Sequence, residues 1–257
     1  MTAAPNLALF ALPGIPRVVP GADLSRIILD GLKRAELALR PGDIVVLAQK
    51  IVSKAEDRFV ELAAVTPSPR AFELARQVEK DPRLVQLILD ESTEVLRTRP
   101  GVIVVAHRLG YVLANAGIDA SNVESPDGRE RVLLLPRDPD ASCRALRDGL
   151  RAATGTDVAV IVNDSLGRAW RNGTVGVALG AAGLPGLLDL RGKPDLNGRT
   201  LRVTEIGVAD EVAAAASLVM GQAAEGRPIV LVRGFPYPMR DGDAAELIRA
   251  KTLDLFR

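Results

Sequence analysis

Three polar stretches in this sequence carry residues able to do chemistry, and each follows an apolar run. The sharpest is 163-NDSLGRAWRNG, in which Asp164 and Ser165 come straight after 158-VAVIV. An acid at the end of such a strand is where nucleotide-handling α/β proteins anchor Mg²⁺. Arg168 and Arg171 would share a face on a helical turn and could clamp a phosphate or carboxylate. Trp170, the one tryptophan, reads as a core anchor rather than a stacking group. The second stretch, 115-NAGIDASN, sets Asn115, Asp119, Ser121 and Asn122 around Gly117. Such short polar groups wrap a hard cation or a sugar hydroxyl, and equally form an Asx-type turn between strands. The third, 49-QKIVSKAE, places Lys50, Ser53 and Lys54 beyond 44-IVVLA. Two ammonium groups and a hydroxyl there could hold phosphate or carboxylate oxygens, or form a solvated strand exit.

The scarce residues narrow this chemistry further. One Cys and one His exclude a disulfide framework, a thiolate zinc site and a two-histidine zinc motif. Any metal ligands are therefore oxygens, which suits Mg²⁺ or Mn²⁺. His107 lies on an apolar strand and reads as a structural residue. No G-x-x-x-x-G-K-[ST] loop is present: Gly186 is wrongly spaced from Gly192-Lys193, and Pro194 stands where Ser or Thr belongs. The glycine-dense run 173–186 does not match G-x-G-x-x-G and reads as close backbone packing. A nucleotide, if bound, occupies a site without a P-loop.

Charge and hydropathy exclude other classes. Lys+Arg number 33 against 32 Asp+Glu, so no chain-wide basic field invites nucleic acid. Aromatics at 3% argue against base-stacking platforms. The longest apolar stretches, such as 101-GVIVVA and 229-IVLV, fall far below the roughly 20 residues that span a bilayer. The run 7–12 lacks a preceding basic residue and is cut by Pro13, so it reads as a strand rather than a signal peptide. A cytoplasmic protein with no membrane association is expected, and the lone Cys143 suits a reducing compartment.

These residues must be positioned by alternating strands and helices. Helical spacing covers 25–39, 70–80, 83–93, 139–154 and 208–222, with Pro67-Ser68-Pro69 starting the second of these and Pro82 at a favoured first position. Strands are expected at 44-IVVLAQKIVSKAE, turning polar at its end, and at 132-VLLLP, 158-VAVIVND, 200-TLRVTEI and 228-PIVLVRG. A hairpin joins 102-VIVVAHRLG to 111-YVLANAGID, and a short helix lies near 243. The class is α/β or mixed α+β, and no composition break divides 1–257, so one domain is expected.

In order, GIP, QKIVSKAE, DESTEVLR, NAGIDASN, NDSLGRAWRNG, GKPDLNGR, VADEVAAAASLVMGQ and IVLVRG resemble the coenzyme F-420-0:L-glutamate ligase family. The resemblance runs from about Leu12 to Gly234. It implies a mixed α+β fold of two intertwined parts without a P-loop, assembled as a homodimer. It also implies a GTP-dependent amide ligase that adds L-glutamate to a deazaflavin precursor, F-420-0, through an acyl phosphate, releasing GDP and phosphate. Two Mg²⁺ or Mn²⁺ ions, and K⁺, accompany that reaction. Carried over residue by residue, the metal positions are Asp119, Asp164, Ser165 and Gln222, the last being Glu in some relatives. The nucleotide positions are Ile15, Pro16, Arg17, Val18, Lys50, Lys54 and Asn122. Lys54 joins Asp119 and Asp164 as a catalytic residue. The flavin-binding domain that some relatives carry is not expected, because the chain ends at Arg257. Two other readings compete: a different ATP-grasp-like or kinase-like carboxylate ligase, and a non-catalytic nucleotide-binding protein whose acids are only turn residues.

Overall fold

The computed structural model describes residues 6–120, 128–238 and 240–255. The chain runs β1 (Ala8–Ala11), α1 (Leu24–Arg34), β2 (Ile44–Ala48), α2 (Gln49–Ala55), β3 (Phe59–Glu61), α3 (Pro69–Val78) and α4 (Pro82–Asp90). It continues through β4 (Ser92–Arg99), β5 (Val102–His107), β6 (Val112–Ala114), β7 (Arg131–Leu133), α5 (Pro139–Thr154) and β8 (Ala159–Arg168). The remainder is β9 (Arg171–Ala182), β10 (Leu188–Asp189), β11 (Glu205–Ile206), α6 (Val208–Met220) and β12 (Ile229–Arg233).

A five-stranded mixed sheet in the order β1-β12-β2-β8-β9 forms the centre, with β2 and β8 its one parallel pair among the described residues. The apolar runs of β2, β8 and β12 are buried on both faces because successive side chains alternate between them. Val45, Leu47, Val160 and Val162 face α1 and α5, while Ile44, Val46 and Ile161 face α6. Gly176 and Gly180 let those helices approach β9 closely. A Cβ on Gly176 would lie 2.5 Å from the Ala213 carbonyl oxygen, and one on Gly180 2.4 Å from the Pro139 backbone. The glycine run does serve close backbone packing.

Between β2 and β8 the chain leaves this sheet and builds a smaller unit, so the two parts are interleaved in sequence. There the sheet β4-β5-β6 packs against α3 and α4 around Leu74, Val78, Ile88, Ile103 and Val105. β3 pairs with β7 and carries the chain back. Ser68 and Asp81 accept from the Ala71 and Arg83 amides, which starts α3 and α4 where the Pro signals indicated.

Several expected elements differ. Residues 49–55 form a helix, not the end of a strand: helical spacing buries Gln49, Ile51, Val52 and Ser53 on one side. α4 stops at Asp90, and residues 92–99 form β4, whose turn to β5 uses Gly101 at φ +80°. The first helix ends at Arg34 rather than 39. Of 200–206 only Glu205–Ile206 is strand, and the segment near 243 is a single 3-10 turn, Ala244–Leu247. Trp170 is not a core anchor. It is 89% exposed at the β8–β9 hairpin tip, at φ +64°. Arg168 and Arg171 sit opposite each other across that hairpin rather than on a helical turn. His107 is buried, and its Nδ1 accepts from the Leu109 amide.

Candidate active site

The parallel strands β2 and β8 end side by side, with Ala48 opposite Asn163. Crevices at the carboxyl ends of such strands are the usual ligand sites of α/β sheets. From this edge α2 projects one polar set inward. Ser53 and Gln49, one turn apart and both buried, are joined by a hydrogen bond from Ser53 Oγ to Gln49 Oε1 at 2.9 Å. Gln49 Nε2 then donates to Asp119 Oδ2 at 2.7 Å. The other carboxylate oxygen of Asp119 lies 3.2 Å from Lys50 Nζ.

Asp119 is fixed from its backbone as well. Its amide and carbonyl pair with Leu133 in both directions, at 2.9 and 2.8 Å. The turn before it needs left-handed backbone at Asn115 and Ala116, and Asn115 Oδ1 accepts from the Ile103 amide at 3.1 Å. Asn115 therefore serves the turn, whereas the Asp119 carboxylate is left for the site.

Asp164 stands just beyond the last parallel pair, where β8 continues only with β9, opposite Val177. Its carboxylate accepts from the Ser165 amide at 2.8 Å. Burial, reinforced by the Asp119 charge and opposed by Lys50, pushes its pKa up to about 6. Burial also raises Asp119, against the lowering effect of Lys50, Gln49 and Lys54. Two half-buried carboxylates thus repel across a gap in which ammonium groups supply the compensating charge. A hard divalent cation relieves the same repulsion and is satisfied by oxygens, so the donor set fits Mg²⁺ or Mn²⁺.

Lys54 follows Lys50 by one helical turn. It lines a cavity of about 390 Å³ with Val18, Val19, Pro20, Asp57, Phe59, Glu61 and Arg131. The 14–21 loop is tied to α2 by the Gly21 amide donating to the Ala55 carbonyl at 2.9 Å. Ile15 packs against the main core, and Pro16 and Arg17 continue the same loop to the cavity wall at Val18. Lys54 thereby connects this cavity electrostatically to Asp119.

A family model described as F420-0:Gamma-glutamyl ligase matches residues 14–234. The chain belongs to that family. The Coenzyme F420:L-glutamate ligase of Methanothermobacter thermautotrophicus is 47% identical over 98% of this chain and 99% of that protein. The protein of that name from Methanopyrus kandleri is 42% identical over the full length of both. That from Halobacterium salinarum is 42% identical over 96% of this chain and 94% of that protein.

The F420-0:gamma-glutamyl ligase match spans the 14–21 loop, α2, Asp119, Asp164 and the end of α6. Within this frame Gln49, Lys50, Asp119 and Asp164 come together, and Lys54 and Val18 share the adjoining cavity. Ser165 faces away from Asp164, as strand alternation requires. Its Oγ donates to Gln222 Oε1 at 2.6 Å, and Gln222 Nε2 donates to Ser217 Oγ at 2.8 Å. This second group is neutral. Among the described residues no cluster of three or more His, Cys, Asp or Glu side chains forms a metal site. Asn122 and Ser121 lie outside the described residues. Gln49 is the site residue that sequence reasoning missed; its signal is the four-residue spacing to Ser53, visible only once 49–55 is read as a helix.

Proposed function

We propose that this protein is a coenzyme F420-0:L-glutamate ligase that uses GTP to activate the F420-0 carboxylate. The observation that carries this reading is the Asp119–Asp164 pair set beside Lys50, Lys54 and a cavity. A carboxylate does not acylate an amine in water, so its hydroxide-like oxygen must first become a better leaving group. Attack of that oxygen on the γ-phosphorus of GTP releases GDP and forms an acyl phosphate. The glutamate amine then attacks the acyl carbon, phosphate leaves with the C–O bond electrons, and the amine proton passes to solvent.

In this reading the cavity at Lys54 and the 14–20 loop holds the nucleotide, with Asn122 and Lys50 as further contacts. Asp119 and Asp164 would hold a Mg²⁺ or Mn²⁺ ion, whose charge would offset that of phosphate oxygens during transfer. Gln49 orients Asp119 toward that position, and Lys54 adds cationic charge at the transferring group. Ser165 and Gln222 offer only neutral oxygens to a second ion, a weaker set than a carboxylate. A homodimer belongs to the same reading: Trp170, Leu196 and Val203 are 84–105% exposed, apolar surface that a second copy would cover.

The test is incubation with F420-0, L-glutamate, GTP and Mn²⁺, followed by product mass. Appearance of a singly or multiply glutamylated product with stoichiometric GDP is expected. Equal turnover with ATP would remove the GTP preference, and no nucleotide consumption would overturn the ligase mechanism.

A further inference from the structure

The cavity beside Lys54 also contains two carboxylates, Asp57 and Glu61, which would repel the phosphates of a nucleotide. Glu61 is neutralised in place: Arg131 Nη2 lies 2.8 Å from its Oε1 and Arg129 Nη1 3.1 Å from its Oε2. The two arginines hold its carboxyl below the usual carboxylate range. The Asp57 carboxylate has no hydrogen-bond or ion-pair partner among the described residues. Its backbone closes α2 in a Schellman turn. The Arg58 amide donates to the Ser53 carbonyl at 3.0 Å and the Asp57 amide to the Lys54 carbonyl at 3.1 Å. Asp57 takes the left-handed position of that turn, at φ +52°, where glycine is the usual residue. The end of α2 thus brings one cation and one unpaired anion to the same space.

The remaining walls are apolar. Val18, Val19 and Pro20 come from the 14–21 loop and Phe59 from β3, and Val19 is 59% exposed. Aliphatic and aromatic surfaces of this kind suit the faces of a planar base. Bases are then told apart at their edges, and a carboxylate there acts only as an acceptor. Guanine offers it two adjacent donors, N1–H and the 2-amino group. Adenine offers an acceptor at N1 and has no 2-amino group. An unpaired carboxylate in a nucleotide cavity therefore matches guanine and repels adenine.

We infer that Asp57 reads the guanine base, accepting from N1–H and the 2-amino group while Lys54 serves the phosphates. The assignment rests on the ligase reading above and names the specificity residue of its nucleotide cavity. Asp57→Asn tests it, because asparagine also accepts left-handed backbone and keeps the turn at the end of α2. The amide places a donor where the carboxylate had only acceptors, which suits xanthine, whose C2 carries a carbonyl oxygen in place of the amino group. Binding of GTP, ATP and xanthosine triphosphate with Mg²⁺ is measured by calorimetry, and turnover of each with F420-0 and L-glutamate. Expected is a GTP affinity lowered roughly tenfold or more, little change for ATP, and xanthosine triphosphate bound more tightly than by the wild-type protein. An unaltered order of preference among the three in Asp57→Asn would overturn the assignment alone. An equal loss for all three, the mark of a purely structural turn, would also overturn it. Consumption of no nucleotide by the wild-type protein with F420-0 and glutamate would overturn the ligase reading, and this assignment with it.

Discussion

Asp119 and Asp164 carry the most decisive residue-level forecasts. Asn is as good a turn residue as Asp, so Asp119→Asn and Asp164→Asn keep shape while removing the charge a hard cation requires. Each should lower turnover on the order of a thousandfold with the fold intact; near-native rates in either variant would remove that residue from the site. The pH dependence has a definite sign. A carboxyl raised from 3.8 to about 6 in the fold is harder to ionise there than in the unfolded chain. Its ionisation therefore removes stability from the metal-free protein as pH rises from about 4 to 6. Asp164→Asn should abolish that loss and melt at or above wild type near pH 7. Mn²⁺ binding should weaken below pH 6, where protons compete for Asp164, and calorimetry across pH 5–8 reads both effects. Gln49→Leu should leave Asp119 Oδ2 without its donor and lower Mn²⁺ affinity, with a smaller effect on the KM for glutamate.

At the scale of elements, the site depends on strands ending at the right place and on helices packed closely enough to hold them. α2 starts where β2 stops, which sets Gln49 and Lys50 at the sheet edge and Ser53 and Lys54 one turn behind. β9 keeps Gly176 and Gly180 where α6 and α5 cross it. Gly180→Ala has nowhere to put its methyl except against Pro139 backbone, and backbone gives less readily than a flexible side chain. A loss of about 1–3 kcal/mol or more is expected from overpacking, read by urea unfolding. A neutral result would mean that α5 can shift away from β9. Asp81→Ala should cost α4 about 1 kcal/mol through its lost cap.

For the whole molecule, the smaller unit is inserted between β2 and β8, yet it returns Asp119 to the edge of the larger one. The return is held by Leu133 pairing with Asp119 and by the cluster around Glu91. Burial would raise that carboxyl, but His107, Arg108 and Arg58 hold it at about 2. These contacts join the two parts on the side where Asp119 meets Gln49. The proposed homodimer predicts a light-scattering mass of twice the 27.3 kDa chain at micromolar concentration. A mass of one chain across that range would overturn the dimer, and leave the exposed Trp170 tip to another role.

Much of this was legible in the residues themselves. Long β-branched runs and Pro- or Asp-started helices announce their own structure, because local propensity and burial agree there. The acids after 158-VAVIV and in NAGIDASN stood out as short polar groups beyond apolar runs, although the second set equally suits an Asx-type turn. Other features depended on contacts distant in sequence. Residues 49–55 read as a strand exit until Gln49 is seen meeting Asp119 seventy positions away. Trp170 looked like a core residue because large aromatics usually are, but a hairpin register put it at a tip. Ser165 adjoins Asp164 in sequence and serves the opposite face, since alternation along a strand separates neighbours that a motif joins. Local chemistry thus named the acids. Only the tertiary fold decided which lysines, which amide and which cavity stand beside them, because those partners are brought together by sheet order and not by spacing along the chain.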